Sequence, residues 1–255
     1  MVTMPSSESI KQMALDQGFV AAGITSPDNL SGLPYGWVAD VKELKRPAEE
    51  LPEVKSIIML VLHAWDRVFG LQIDSPNWKG YGFHSPEEDI EGYYMSYMIS
   101  MSKAWPIVSY LRENGYKAQL STTIPLKTTG KTCGLGQTGK NTLLVNPTYG
   151  PRLGLMAILT SAELETDTPF TDDLCGECTR CIDACPTKAL TPYNIDIQRC
   201  LTYAVENPGK TDLPSDVRKL EAKLITRPTK NSFIECYICA EVCPVGEDKV
   251  KKYRR

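Results

Sequence analysis

Eight cysteines in the last third of the chain are the residues best suited to chemistry, and they fall into two runs. The first run is Cys175-x2-Cys178-x2-Cys181-x3-Cys185-Pro186. The second run is Cys236-x2-Cys239-x3-Cys243-Pro244, and Cys200 supplies the cysteine that it lacks. The first spacing is that of bacterial ferredoxins with two clusters, in which thiolates hold cubane iron–sulfur centres. Eight thiolates are enough for two [4Fe-4S] clusters.

The spacing also predicts which cysteines act together. In two-cluster ferredoxins three cysteines of a tight loop bind one cluster, and the fourth crosses to the other. The first set is therefore predicted to be Cys175, Cys178, Cys181 and Cys243. The second set is predicted to be Cys185, Cys200, Cys236 and Cys239. The main alternative, structural zinc, prefers paired CxxC knuckles. The ninth cysteine, Cys133, is predicted to be a small buried hydrophobic residue.

A glycine-rich segment precedes the cysteines: Gly134-Leu-Gly136-Gln-Thr-Gly139-Lys140-Asn141. It partly matches two nucleotide-binding patterns, but both require a following helix, and one requires a hydroxyl group where Asn141 stands. A strand with Pro147 is predicted to follow instead. We expect the three glycines, with Lys140 and Asn141, to bring the backbone close to a large flat or anionic cofactor.

The composition is that of an ordinary globular protein of 255 residues, 42% hydrophobic and 23% charged. A net charge of −3 argues against a general nucleic-acid surface. No apolar run approaches the roughly 20 residues of a membrane helix. The first residues show no export signal, which predicts a cytoplasmic protein. Lysines and arginines between Cys200 and Cys236 are predicted to form a solvated face that could dock an acidic electron donor.

The elements ahead of the cysteines predict an α/β (α+β) fold. Ser7 or a neighbouring serine can cap a helix that ends near Gly18. Strands are predicted at Phe19 to Ile24, Ser56 to Leu62, Thr142 to Val145 and Leu153 to Thr160. Because the apolar periodicity stops near Glu165, we divide the chain into residues 1–168, which bind or convert a ligand, and residues 169–255, which hold the clusters.

One long helix is expected between these strands. Ser85-Pro86 is a helix-start signal, and the helix should run toward Asn114-Gly115. Pro106 should kink the helix or split it in two. Tyr94, Met98 and Met101 recur at helical spacing and are predicted to pack in the core.

The order of motifs is similar to that of the epoxyqueuosine reductases and the related reductive dehalogenases. The motifs that carry this resemblance are Gly134-Leu135-Gly136, Gly139 to Leu144, Asn146-Pro147 with Tyr149-Gly150, Ile158-Leu159-Thr160, and Cys175 to Thr187. The resemblance implies a nitroreductase-like N-terminal domain that carries cobalamin, followed by a ferredoxin-like domain with two [4Fe-4S] clusters. It also implies a ferredoxin- or flavodoxin-like electron donor, and either a small-molecule substrate or a corrinoid protein as the acceptor.

Two departures from this family affect the predicted substrate. Epoxyqueuosine reductases carry an acidic proton donor three positions before a proline, and Thr122 stands there, before Pro125. The helical-repeat extension that grips tRNA in that family has no counterpart in this sequence. Both features argue against a tRNA substrate.

The proton donor must therefore be sought elsewhere. Tyr93, Tyr97 and Lys140 are the predicted catalytic residues, with Tyr94, His63 and His84 as further candidates. Each tyrosine on a helix could equally pack in the core. His63 ends a predicted strand, where ligands often sit, but a buried structural histidine is also consistent with that position.

The leading hypothesis is an iron–sulfur oxidoreductase that passes electrons through two [4Fe-4S] clusters to a bound cobalamin, which reduces a small substrate. The alternative is an electron-transfer or corrinoid-reducing protein without a substrate of its own. A third hypothesis is a tRNA-modifying reductase with a relocated acid.

Overall fold

The computed structural model describes residues 5–32, 44–80 and 92–251. The predicted helix start at Ser85 and the candidate His84 lie outside these ranges.

Nine α-helices lie in the described ranges. They are α1 (Ser7–Asp16), α2 (Pro47–Glu50), α3 (Met95–Glu113), α4 (Leu126–Thr132), α5 (Arg180–Asp183), α6 (Leu201–Glu206), α7 (Ser215–Leu224), α8 (Ile238–Glu241) and α9 (Glu247–Lys251). The helices after residue 170 are short, apart from α7, so loops carry most of the cysteine-rich part.

Twelve short strands lie in the same ranges. They are β1 (Ala21–Thr25), β2 (Ser56–His63), β3 (Leu71–Asp74), β4 (Gly92–Tyr94), β5 (Ala118–Ser121), β6 (Gln137–Thr138), β7 (Leu144–Val145), β8 (Leu153–Thr160), β9 (Leu190–Thr191), β10 (Asn194–Ile195), β11 (Thr226–Thr229) and β12 (Ser232–Ile234). They confirm a mixed α/β fold with small antiparallel sheets.

The central sheet is antiparallel, with the strand order β1-β2-β8-β5. Every residue of β2 is buried, because both faces of this strand are covered. Ile58 and Leu60 pack with α1 and α3 on one face, while Ile57 and Met59 belong to the core on the other. The alternation follows from the two-residue period of a strand. The sheet therefore divides the core into two layers.

A second four-stranded sheet joins residues 71–94 to the cysteine-rich part of the chain. Its order is β11-β12-β3-β4, and Phe233 of β12 pairs with Gln72 of β3. The strands of the cysteine-rich part therefore continue a sheet begun by residues 71–94. The polar groups at the edge of β3 and β4 are brought next to the residues that precede Cys236.

The structure confirms the predicted α1, whose N-cap is Ser6, and strands at the four predicted places. The long helix α3 is continuous through Pro106, so it is not split there. The predicted core positions of Met98 and Met101 were wrong. Met98 and Met101 are 49% and 42% exposed, because the face that turns toward the sheet carries Ala104, Ile107, Val108 and Leu111.

The basic stretch between Cys200 and Cys236 is not simply a solvated face. Arg218 donates hydrogen bonds to the carbonyl oxygens of Ala204, Asn207 and Lys210, and it also pairs with Glu221. Arg227 pairs with the same Glu221. Of the predicted docking cations, Arg218 therefore holds α7 against α6, and Arg227 ties β11 to α7. No helix in the described ranges is both long and apolar enough to cross a bilayer.

Candidate functional site

The first set depends on an exposed loop. Cys175, Cys178 and Cys181 are partly buried, but most of the residues before and between them are solvent-exposed. The carboxylate of Asp173 accepts a hydrogen bond from the backbone N–H of Cys175, at 2.9 Å. The N–H of Cys178 donates to the carbonyl of Cys175 in a tight turn. Cys243 arrives from the end of the chain, just after α8.

The second set is more deeply embedded. Cys185 is only 8% exposed, and its sulfur accepts a hydrogen bond from the N–H of Ala189 at 3.3 Å. Burial is the main cause that raises the pKa of Cys236 to about 11 and that of Cys239 to about 12. Iron binds the thiolate form, so cluster loading at this set must displace protons from the thiols.

The electrostatic neighbours of each thiol fall into two groups. Burial is the largest cause that raises the pKa of Cys181 and of Cys243, and the charge of Cys175 adds to the rise at both thiols. Burial raises the pKa of Cys236, and the charges of Cys200 and Cys185 add to the rise. Burial also raises the pKa of Cys239. The charges that add to this rise come from the other cysteines of its own set and from Cys181 of the first set. Cys181 and Cys239 are therefore where the two groups approach each other.

No disulfide joins the nine cysteines. Within the described ranges no three His, Cys, Asp or Glu side chains could hold a single metal ion.

The glycine-rich segment packs against the protein's own chain. Gly136 has a φ of +152°, and a Cβ there would overlap the carbonyl of Val145. A Cβ on Gly139 would approach the Val145 side chain to 2.6 Å. Asn141 is 4% exposed, and its side-chain amide donates to the carbonyl of Cys239 at 3.4 Å. The small residues here permit close contact between protein segments.

Lys140 lies at the first set. Its backbone N–H points to the sulfur of Cys175 at 3.5 Å, and its ammonium group donates to the carbonyl of Gly176 at 2.5 Å. The structure thus places this candidate catalytic and cofactor-binding residue against the cysteine loop.

Lys127, Glu235, Tyr97 and Tyr237 form the polar surroundings of the second set. Burial lowers the pKa of Lys127, and the charges of Cys200, Cys239 and Glu235 oppose that shift. Lys127 is nevertheless solvent-exposed, so its ammonium group can be reached from solvent. Burial raises the pKa of Glu235, against the effect of Lys127.

Tyr97 and Tyr237 extend these surroundings. Burial and Glu235 raise the pKa of Tyr97 to about 12, and burial, with Glu235, raises the pKa of Tyr237 as well. Gly70 makes room here, because a Cβ on it would lie 2.9 Å from the ring of Tyr237. Both phenols therefore keep their protons at neutral pH.

A hydrogen-bonded pair, Tyr94 and Glu206, lies next to Tyr97. The hydroxyl of Tyr94 donates a hydrogen bond to the carboxylate of Glu206, and the rings of Tyr94 and Tyr97 are 5.4 Å apart. Burial raises the pKa of Glu206 well above its usual range, and the charges of Glu235 and Asp74 add to the rise. The negative charges of Glu235 and Asp74 therefore oppose the ionisation of Glu206.

A cavity of about 250 Å³ lies beside this group, between the end of β2 and the last cysteine run. Its lining includes Trp65, Asp66, Arg67, Arg152 and Tyr237. Its volume suits a small ligand and is far too small for a corrin.

The other sequence candidates lie apart. Tyr93 is 47% exposed on β4. His63 ends β2, is 7% exposed and packs on the ring of Tyr149 at 4.8 Å. Its Nε2 has no hydrogen-bond partner, and burial lowers its pKa, with Arg152 and Lys249 adding to the shift. Cys133 is 2% exposed, as predicted for a small hydrophobic residue.

Sequence reasoning missed Lys127, Arg152, Glu206, Glu235 and Tyr237. Weak signals existed for two of them: Glu235 directly precedes Cys236, and Arg152 closes the Tyr149-Gly150 motif. Nothing in the sequence placed Lys127 or Glu206 beside the second set, because their position depends on the shared sheet and on α4.

Residues 174–246 match the family model described as a 4Fe-4S double cluster binding domain. The fold and this site therefore define a mixed α/β protein with a double-cluster iron–sulfur domain. That domain accounts for two [4Fe-4S] clusters.

Three curated epoxyqueuosine reductases show the sequence similarity. The enzyme of Leadbetterella byssophila is 37% identical over 115 residues, which cover 45% of this chain and 34% of the relative. The enzyme of Bacillus subtilis is 35% identical over 119 residues, 46% of this chain and 28% of the relative. The enzyme of Synechococcus sp. (strain RCC307) is 29% identical over 262 residues, 93% of this chain and 74% of the relative.

Solved structures show the same likeness in fold. A crystal structure of epoxyqueuosine reductase superposes with a TM-score of 0.66 at 22% identity, covering 95% of this chain and 66% of that one. A catabolic reductive dehalogenase superposes with a TM-score of 0.63 at 17% identity, covering 96% and 32%. The predicted resemblance to the epoxyqueuosine reductases is therefore confirmed, and the chain also shares the fold of a reductive dehalogenase. This chain matches about a third or less of the first two curated relatives.

Proposed function

We propose that this chain is an iron–sulfur reductase in which two [4Fe-4S] clusters pass electrons to a cobalamin held beside the second set, where a small substrate is reduced. The observation that carries the proposal is a group of polar side chains beside Cys200 and Cys239, which we propose line a recess. Lys127 of α4 and Glu235, after β12, interact electrostatically with these thiols, and Tyr97 and Tyr237 adjoin Glu235. Electrons that reach the second set therefore arrive next to groups that can bind a ligand and deliver protons.

The residues of the recess fit a large polar cofactor. Lys127 is exposed and yet desolvated, and Tyr97 and Tyr237 are half-buried beside it. Their ammonium and hydroxyl groups can hydrogen-bond the amide side chains around a corrin ring. Cobalamin, when bound, would supply a cobalt centre able to take up electrons and to react with the substrate. In this proposal the glycine segment holds the cysteine loops, and the division at residue 168 separates the ligand-binding part from the cluster part.

Electrons would enter at the first set. The segment 171–180 is mostly exposed, so an electron-donor protein of the ferredoxin or flavodoxin class can approach it. The two sets approach each other at Cys181 and Cys239, and Lys127 neighbours Cys200 and Cys239 of the second set. Electrons would therefore pass from the first set to the second and then to the recess.

Tyr97 is the proposed proton donor. Its phenol keeps its proton at neutral pH, because burial and Glu235 raise its pKa to about 12. The Tyr94–Glu206 pair behind it can replace a proton that Tyr97 gives up. This arrangement would supply the proton that the acidic residue expected at Thr122 supplies in epoxyqueuosine reductases. Tyr93, which is exposed on β4, and Lys140, whose ammonium group donates to the carbonyl of Gly176, are the other candidates for this role.

The test is corrinoid binding by anaerobically reconstituted protein. Added cob(II)alamin should bind in a 1:1 ratio and be reduced when a low-potential donor is supplied. Lys127→Met should weaken binding, while Lys131→Met, an exposed lysine one turn later on the same helix, should not. Failure of the wild-type protein to bind any corrinoid would contradict the proposal and leave the clusters unaffected.

A second candidate function is corrinoid reduction without a substrate of its own. The threonine at position 122, exposed in the bend before α4, favours it, since the acid of the family is missing there. Product formation separates the two candidates, because a corrinoid-reducing protein would stop at the reduced corrinoid. One solved structure of an epoxyqueuosine reductase contains a modified tRNA stem loop, and the match with this chain covers 65% of that reductase. Such a stem loop belongs among the substrates tested.

A further inference from the structure

Two stretches of main chain cross directly next to Cys243. Gly150 has a φ of +64°, and a Cβ there would overlap the carbonyl of Val245. Gly246 has a φ of +69°, and a Cβ there would overlap the backbone of Tyr149. Glycine at both places allows the backbones to touch. The turn that opens β8 therefore lies directly against the end of the last cysteine run.

Arg152 fixes this crossing with its side chain. It is 3% exposed, and its guanidinium donates to the carbonyl oxygens of Glu241, Cys243 and Val245, each at 3.0 Å. One planar, rigid donor thus binds the carbonyl of Cys243 itself and the carbonyls of the residues two positions before and two positions after it. The carbonyl of Arg152 in turn accepts from the N–H of Ala64 at 2.8 Å, which ties the group to the end of β2.

Cys243 needs such an anchor more than its partners do. Three cysteines of the first set lie within seven consecutive residues, so the local turn positions them. Cys243 comes from a segment 62 residues after Cys181, and only tertiary contacts can hold it in place.

We infer that Arg152 is the positioning residue for Cys243, the ligand that crosses to the first set and binds its fourth iron. The inference rests on the proposed assignment of the cysteines to two clusters.

The loss of this anchor has a defined chemical consequence. A cubane with a poorly held fourth ligand releases one iron when ferricyanide oxidises it: [4Fe-4S]²⁺ gives [3Fe-4S]⁺, Fe²⁺ and one electron, which ferricyanide accepts. The three-iron product has its own paramagnetic resonance signal in the oxidised state. The second set should keep its cluster.

The experiment compares reconstituted wild-type protein with Arg152→Met and Arg152→Lys after ferricyanide treatment. Arg152→Met should give the three-iron signal and lose about one iron per chain. Arg152→Lys, which keeps the charge but not the planar fork, should give a smaller signal. Cys243→Ser sets the full effect. Arg112→Met, which changes an exposed arginine near the end of α3 whose side chain donates to the carbonyl of Ala118, is the matched control and should behave as wild type.

The outcomes separate the inference from the assignment of the clusters. If Arg152→Met folds and resists ferricyanide as the wild type does, the inference is wrong. If Arg152→Met does not fold by circular dichroism, Arg152→Lys decides, and wild-type resistance of that variant would overturn the inference. Wild-type protein that assembles fewer than two clusters would overturn the cluster assignment itself and, with it, the inference.

Discussion

Each of the two sets contains four cysteine thiols, but the chain assembles and surrounds the two sets differently. Three ligands of the first set come from one exposed loop, and Lys140 and Arg152 lie against it. The second set is drawn from three separate segments and lies near Lys127 and the carboxyl groups of Glu235, Glu206 and Asp74. Solvent and cations stabilise a reduced cluster, while burial and carboxylates oppose it. We therefore expect the first cluster to have the higher reduction potential.

The comparison also separates two tasks. A loop open to solvent suits electron entry from a donor protein, because long-range transfer needs only close approach. A recess with phenols and carboxyl groups suits chemistry that consumes protons. The same ligand pattern can thus serve entry at one site and delivery at the other.

The largest expected effect is loss of one cluster without the other. Cys200→Ala should remove the second cluster and about half of the iron, because the second set then keeps only three thiols. Cys133→Ala, which changes the cysteine outside both sets, should leave the iron content unchanged. Iron and acid-labile sulfide analysis measures both. Equal iron in the Cys200→Ala and wild-type proteins would show that the second set is assigned wrongly.

A smaller effect is expected from the cation near the second set. Lys127→Met should stabilise the oxidised second cluster by roughly 1 kcal/mol, about a fivefold decrease in its reduced fraction at fixed potential. The first cluster should not change. Paramagnetic resonance during a potentiometric titration measures each cluster, with Lys131→Met as the control. An equal shift of both clusters would contradict the placement of Lys127.

The smallest expected effect concerns Glu206 and pH. The folded protein raises the pKa of this carboxyl group, so between the unfolded and folded pKa values the native state binds more protons and stability falls as pH rises. The slope is at most about 1.4 kcal/mol per pH unit for one proton. Glu206→Gln, which stays neutral, should flatten the fall.

Thermal unfolding of the reconstituted protein across that pH range is the measurement. Glu113→Gln, at the exposed end of α3, is the control and should retain the wild-type dependence. A Glu206→Gln variant with the same slope as wild type would show that Glu206 is ionised in the folded protein.

Local patterns allowed much of this fold to be predicted from the sequence. The cysteine spacing, the cap of α1 and the apolar strand β2 depend on neighbours within a few residues. The inward face of α3 was misjudged, because Met98 and Met101 obey helical spacing but point away from the sheet. The contacts of Lys140 could not be foreseen either, since Gly176 lies 36 residues away. Long-range pairing decided both.

The central claim is that this chain holds two different [4Fe-4S] clusters. Its most direct test is a potentiometric titration of the anaerobically reconstituted wild-type protein, followed by paramagnetic resonance. The account predicts two one-electron steps at separate potentials, with the higher one removed in Cys175→Ala and the lower one in Cys239→Ala. A single step, or thiols that hold zinc and show no step, would contradict it.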